Sequence, residues 1–329
     1  MNASGNDDRL IVNCIPVGQE DRQRFLDAAG DVAIAFAGDF DHYGDMKVQA
    51  QIPVALRSRA TAVIGNFDPE IASELPRLEW LQTWSAGVDK YLKPGVLPET
   101  VKVTSATGAY GQSVGEHMFA MTLALMKNLA QYARADAAHQ WRDAGEVTSP
   151  EGATALILGT GDIGSHYATL VKAVGMKTIG VRRDAGKPAE GIDRMYGFDD
   201  LDELLPDADV VALSLPSTPQ TRHILDSPRL ESLKPETIII NGGRGDAIDL
   251  DALAESLDSG AVRAAGLDVT EPEPLPEDSP LWDEPRCLIT PHVAGGSHLS
   301  VTDSRVIDIA LANVRRYAAG EPVVDNAHR

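Results

Sequence analysis

Cysteine is scarce in this chain: Cys14 and Cys287 are the only two among 329 residues. They could pair, but two thiols without metal-type spacing and without a framework of partners read better as buried free thiols of a reducing compartment. Long apolar runs are missing as well. No stretch approaches the roughly 18 uninterrupted apolar residues of a membrane helix, and the opening MNASGNDDRL has no basic-then-apolar export layout. A cytoplasmic protein with no membrane partner is therefore expected. Positive charge is in deficit, with 29 Lys and Arg against 49 Asp and Glu and a formal net charge of −20. Such a surface disfavours nucleic acid and anionic lipid. It suits strong salt, where the Debye length falls to about 3 Å at 1 M and self-repulsion is screened, so a halophilic source is expected. The remaining composition, 43% hydrophobic over this length, fits two globular domains with real cores.

The chain is organised around residues 154–183. An apolar strand-like run at 155–158 feeds into GTGDIG, which is Gly159, Thr160, Gly161, Asp162, Ile163 and Gly164. A helix-like stretch follows to Val174, then Gly175 and a second strand at 177–181. A lone GxGxxG is common. Inside a strand–turn–helix–strand unit it is the pattern that binds a dinucleotide: one glycine for the turn, one for close approach of the pyrophosphate, one for helix–strand packing. The phosphates then sit at the positive helix end. About 20 residues beyond the glycines, an NAD site usually carries Asp or Glu. Here Arg182 and Arg183 stand there. A guanidinium can grip a 2′-phosphate that a carboxylate would repel, so NADP(H) is the expected cofactor, with NAD(H) still possible. A solvated basic pair at a strand end is the ordinary alternative.

Before this unit, strand-like runs at 10–15, 32–36, 61–64, 81–84 and 101–104 alternate with helix-like pieces at 19–29, around 47–55 and at 68–75. Strands separated by helices predict a parallel sheet covered on both faces. After the fourth strand comes SAGVD, with Ala86 and Gly87 in a small-residue turn. Its backbone amides could hold a substrate carboxylate, or it is an ordinary strand-to-helix turn. A long apolar helix at 117–133 has the length to cross between domains, and His117 within it reads as a packed helical histidine. Beyond the glycine unit, strands at 210–215, 238–240, 264–269 and 288–290 alternate with helices at 201–205 and 250–257, and a last helix at 301–319 returns to the first domain. One basic, one acidic and one imidazole residue follow three successive strands: Arg244, Glu273 and His292. Singly, each has a plain explanation: a surface turn residue, one carboxylate of an acidic loop, a helix cap.

Taken in series, GTGDIG, NGGRGD, GLDVTEPEPLP and TPHVAGGS resemble the D-isomer-specific 2-hydroxyacid dehydrogenases, nearest to the glyoxylate/hydroxypyruvate reductase-like members. The resemblance covers nearly the whole chain. It implies an α/β fold of two doubly wound parallel-sheet domains with a cleft between them: a flavodoxin-like substrate domain of residues 1–105 plus 298–329, and a Rossmann-like NAD(P)-binding domain of residues 106–297. It implies Arg244, Glu273 and His292 as the catalytic set, with Glu273 preferred over Glu271 because it opens EPLP. Arg244 would hold a 2-oxo acid, His292 would donate the proton, and Glu273 would orient and charge the imidazole.

By the same resemblance Asp268 lies near the nicotinamide carboxamide, with Arg244, Gly242 and Gly243 beside the ring. Leu215, Pro216, Ser217 and Thr221 line the nucleotide site, joined by His292 and Ala294. Ala86 and Gly87 supply carboxylate-binding amides with Arg244 and His292 on the substrate. No metal is implied. A homodimer through the cofactor domains is implied, acting on a small 2-oxo or 2-hydroxy acid. Gly243 stands where the family has another small residue, which should do no harm, while Gln112–Ser113 and Lys127 depart from the family's frequent residues and bear on local packing and cofactor contacts, not on the chemistry. Glu273 argues against the formate-oxidising branch, and the absence of sequence after residue 329 sets the expectation against a long-form phosphoglycerate dehydrogenase. Two other readings remain: an NAD-dependent member acting as an oxidant, and an NAD(P)-sensing corepressor-type protein on the same fold.

Overall fold

A computed structural model of the chain describes residues 8–38, 49–296 and 298–324. It divides into two compact units, Met1–Tyr110 with Gly296–Arg329, and Gly111–Gly295. In the first unit, strands β1 (Leu10–Asn13), β2 (Ala33–Phe36), β3 (Ala62–Ile64), β4 (Trp80–Gln82) and β5 (Lys102–Thr104) form one sheet in the order β2-β1-β3-β4-β5. Every pairing is parallel. This is the flavodoxin-like order, whose reversal falls between β1 and β3. The residues of β1, β3 and β4 are buried without alternation, as expected for strands covered on both faces.

The helices of this unit are α1 (Gln19–Ala29), α2 (Val54–Arg57), α3 (Asp89–Leu92) and the chain's last helix, Ser300–Ala318. The last helix returns to the first sheet. Its Tyr317 ring lies 5.2 Å from Trp80, and the Asn313 amide donates to Gln82 Oε1 at 2.8 Å. Two expected helices differ. Around 47–55 only α2 forms among the described residues, because Pro53 forces the preceding backbone to be extended and starts the helix after itself; residues 47 and 48 lie outside the described set. At 68–75 the helix is a six-residue 3-10 segment, Pro69–Glu74, opened by the Asp68 cap and stopped before Pro76.

The second unit contains α4 (Gly111–Met126), α5 (Leu129–Ala137), β6 (Thr154–Leu158), α6 (Asp162–Ala173), β7 (Lys177–Val181), β8 (Arg194–Tyr196), α7 (Leu201–Leu204), β9 (Val210–Leu213), α8 (Ser227–Glu231), β10 (Ile238–Asn241), α9 (Leu250–Ser259), β11 (Ala264–Leu267) and β12 (Cys287–Ile289). Its sheet runs β12-β11-β10-β9-β6-β7-β8, again all parallel. Starting from β6, this is the Rossmann order extended by one strand. The sequence gives β8 no apolar pattern to betray it, since Arg-Met-Tyr is a half-exposed edge strand.

The expected crossing helix is two helices. It starts six residues earlier than its apolar run, at Gly111, and breaks at Asn128, which adopts φ 56°. A left-handed asparagine ends a helix much as glycine does. The Asn128 amide then donates to the carbonyl of Glu146 at 3.0 Å, fastening the loop that follows. Both cysteines are free and buried, and burial pushes each thiol up to about 12. No described helix is long and apolar enough to cross a membrane, and no metal-binding group of side chains occurs among the described residues.

Candidate active site

The glycine turn lies between β6 and α6, where the sheet order reverses from β7 to β9. Gly159 adopts φ 92°, which a side chain would resist. A Cβ on Gly164 would sit 1.9 Å from the Gly159 carbonyl oxygen, so helix and strand pack too closely for any other residue. Gly161 is different: nothing lies within 4 Å of a Cβ placed there. Protein packing does not require that glycine, whereas the approach of a ligand does. The first turn of α6 carries no side-chain cap, which leaves its amides available to phosphate oxygens. The residues present therefore fit a dinucleotide. Thr160 is buried and Ile163 half-buried behind the turn, while Asp162 turns its carboxylate to the Gly111 amide at 2.7 Å, tying α4 to the turn.

At the end of β7, Arg182 is half-buried and Arg183 exposed. The Arg182 amide continues the ladder to the Tyr196 carbonyl at 3.1 Å, and among the described residues its guanidinium approaches only the Lys187 carbonyl, at 3.4 Å. The first carboxylate past the strand, Asp184, accepts the Gly186 amide at 3.1 Å. After β9, Leu215 is buried and Pro216 carries a carbonyl that accepts the Thr221 hydroxyl at 2.6 Å. Ser217 donates to Asp246 Oδ2 at 2.5 Å.

After β10, a Cβ on Gly243 would stand 2.7 Å from the Leu215 nitrogen, and one on Gly245 only 2.0 Å from the Thr270 carbonyl. Arg244 is thus held between two backbone contacts that admit only glycine, while a Cβ on Gly242 would press on Met118 at 2.8 Å. The Arg244 guanidinium donates to the Gly243 carbonyl at 2.8 Å. The two glutamates of the acid loop have different partners. Glu271 pairs with Arg222 at 3.1 Å, whereas Glu273 Oε2 accepts from His292 Nδ1 at 2.9 Å. Burial alone would raise the Glu273 carboxyl. The His292 hydrogen bond and charge, the Thr270 amide and Arg244 outweigh it and hold the group below the usual glutamate value. His292 itself adopts φ 52°, an uncommon conformation outside glycine that histidine tolerates better than most. Because Nδ1 faces a carboxylate it carries a hydrogen, and Nε2 has no partner among the described residues.

Residues 119–294 match the model of the D-isomer specific 2-hydroxyacid dehydrogenase, NAD binding domain. The chain belongs to that family. It is similar to glyoxylate/hydroxypyruvate reductase B of Pectobacterium atrosepticum, with 32% identity over 71% of this chain and 74% of that one. It is similar also to the crystal structure of a D-isomer specific 2-hydroxyacid dehydrogenase family protein of Aeromonas salmonicida (TM-score 0.78, 32% identity, covering 98% of this chain and 99% of that one). A further similar structure is the D-isomer specific 2-hydroxyacid dehydrogenase of Xanthobacter autotrophicus in complex with NADPH and MES (TM-score 0.77, 26% identity, 97% and 98% covered). The protein is accordingly an NAD(P)-dependent dehydrogenase.

One group of this dehydrogenase escapes a sequence reading, and a second adds to one. The first is a chain of side chains behind His292. Asp268, 3% exposed, accepts the Thr290 hydroxyl at 2.6 Å and the amides of Val293 and Ala294 at 3.0 and 3.1 Å. Thr290 in turn accepts from His117 Nε2 at 3.0 Å. His117 is a helical histidine packed against this polar chain. Its only signal in the sequence is a polar residue in an apolar helix. The second is the expected turn bearing Ala86 and Gly87, in the first unit and half-exposed. No described acceptor takes the amides of Ser85, Ala86 or Gly87, which gives the turn the donors of an anion-binding nest.

Proposed function

We propose that the dehydrogenase reduces small 2-oxo acids to D-2-hydroxy acids and prefers NADPH over NADH. The observation that carries the reaction is the 2.9 Å contact between Glu273 and His292 Nδ1, beside Arg244. It supports an imidazole whose orientation and tautomer are set, leaving Nε2 as the atom that exchanges a proton with the substrate. The nucleotide would be held by Gly159–Gly164, Leu215–Ser217, Thr221, Gly242–Gly243, Asp268 and Ala294, and when bound it supplies hydride to C2 of the substrate. Arg244 grips the carboxylate and keto oxygen, the Ala86 and Gly87 amides take the carboxylate, and His292 protonates the alkoxide oxygen as charge develops there. In the reverse direction the same nitrogen accepts the proton.

The cofactor preference rests on Arg182, which offers a guanidinium where an NAD site offers a carboxylate, and on the nearby Arg183. A homodimer through the second unit is part of the same reading. Its support is Trp141, wholly accessible at 106%, with Leu129 and Val147 more than half exposed on the same stretch of chain. Initial rates with glyoxylate, hydroxypyruvate and branched 2-oxo acids, with NADPH against NADH, test the proposal in wild type and Arg182→Asp. The expected result is turnover with an NADPH preference that collapses in the variant. Equal rates with both cofactors, unchanged by the substitution, would remove the role of Arg182 and keep the reaction. Nucleotide binding without turnover of any substrate would favour a sensor on this fold.

A further inference from the structure

We infer that Asn66 is the positioning residue of the carboxylate-binding turn. The inference rests on the reading that the Ala86 and Gly87 amides receive the substrate. Asn66 follows β3 and the turn follows β4, adjacent parallel strands, so both stand at one end of the first unit's sheet. Asn66 Oδ1 accepts the Trp84 amide at 3.1 Å, and Asn66 Nδ2 donates to Ser85 Oγ at 2.9 Å. Ser85 spends its one hydroxyl hydrogen on the Gly87 carbonyl at 2.6 Å. The directions are forced: a backbone N–H needs an oxygen, and a hydroxyl already donating must accept from nitrogen. One side-chain amide thus holds the first two residues of a four-residue turn directly, and reaches its last residue through the Ser85 hydroxyl.

The Trp84 and Ser85 carbonyls of the turn are satisfied from behind. The Tyr110 hydroxyl donates to the Trp84 carbonyl, and the Ser85 carbonyl accepts the Ala106 amide at 3.0 Å and the Thr83 hydroxyl at 2.8 Å. The carbonyls of residues 84, 85 and 87 are therefore tied down while the amides of residues 85–87 stay unpaired among the described residues. That division suits an anion and rejects a cation. Asn66 is anchored itself, its carbonyl accepting the Ala50 amide at 2.7 Å. A turn held by a neutral amide keeps a full negative charge away from an incoming carboxylate, which an aspartate at the same position would not.

The test uses Asn66→Ala, Asn66→Asp and Ser85→Ala in the full chain, with glyoxylate as variable substrate at saturating NADPH, and oxalate as a non-reducible dicarboxylate inhibitor. Asn66→Ala is expected to raise the glyoxylate KM and the oxalate inhibition constant about tenfold, with kcat within about threefold and the NADPH KM unchanged. Asn66→Asp raises both further, because charge is added to the lost donor. Ser85→Ala, which removes only the second link, raises them less. A folded Asn66 variant with unchanged glyoxylate and oxalate constants would overturn the inference while wild-type turnover preserves the proposed reaction. Should the Asn66 variants fail to fold, unchanged constants in Ser85→Ala overturn it. Wild type without turnover of any 2-oxo acid would sink both.

Discussion

The Thr290 hydroxyl lies 2.6 Å from Asp268 Oδ1 and can only be the donor there, so it must receive the His117 Nε2–H at 3.0 Å. Asp268 is the hub. Its carboxylate also takes the amides of Val293 and Ala294, and its carbonyl takes the His292 amide at 2.8 Å. The left-handed backbone of His292 is thereby held from both sides of the residue. Thr290→Val keeps the shape and removes the donor to a buried carboxylate, which should lower unfolding stability by about 1.5–3 kcal/mol. Because the imidazole loses its support, kcat should fall more than the KM for nucleotide rises, and Thr290→Ser should restore most of both. Chemical denaturation and steady-state rates on the same preparations check this. A Val variant with native kcat would show that the network serves folding only.

How much of this was legible in the residues follows from range. Strands fully buried in a parallel sheet are short unbroken apolar runs, so 10–13, 154–158 and 238–241 are visible as such. The glycine turn, Arg244, Glu273 and His292 stand at strand ends that the topology brings to one edge of the second sheet. What depended on side-chain partners was not legible. The break at Asn128 comes from a left-handed residue fastened to a loop 18 positions later, and periodicity carries no trace of it. Asn66 and Ser85 lie 19 residues apart and meet only because β3 pairs with β4. His117 and Thr290 are separated by 173 residues. Apolar patterning reports what a helix buries, and says nothing of which polar atom a histidine will find.

Trp141 gives the assembly proposal a direct handle. A wholly exposed indole on a loop that Asn128 holds in place is costly to leave in water. Trp141→Glu should shift the protein toward monomer by light scattering at low micromolar concentration, with far-UV circular dichroism unchanged. Wild type that is monomeric under the same conditions would remove the homodimer from the proposal.

Salt should stabilise this chain. With a formal charge of −20, self-repulsion favours the expanded state, and raising the ionic strength from about 0.1 to 1 M shortens the Debye length from about 10 to 3 Å. The melting temperature is expected to climb through this range in KCl and to level off once screening is complete. Full stability at low salt with no gain in molar KCl would contradict the halophilic reading of the composition.

The Glu273–His292 pair carries a pH dependence of known sign. The Glu273 carboxyl is held below its ordinary value in the folded protein, burial being outweighed by the imidazole, the Thr270 amide and Arg244. A depressed carboxyl contributes its stability in full above the unfolded value, about 4.3, and loses it as pH falls from there through the lower folded one. At pH 7 wild type should therefore melt above Glu273→Gln, and the gap should close on acidification below about pH 4.3 rather than anywhere near neutrality. The side chain is 40% exposed, so solvent screening keeps the gap small. Activity separates orientation from proton transfer. His292→Asn should cost about 10²–10⁴ in kcat, and Glu273→Gln less, since it leaves Nε2 in place and takes away only the carboxylate that orients the ring. Paired melts and rate profiles of the three proteins decide the matter: a melting gap that persists unchanged at pH 3.5 would mean that Glu273 acts through packing, not through its charge.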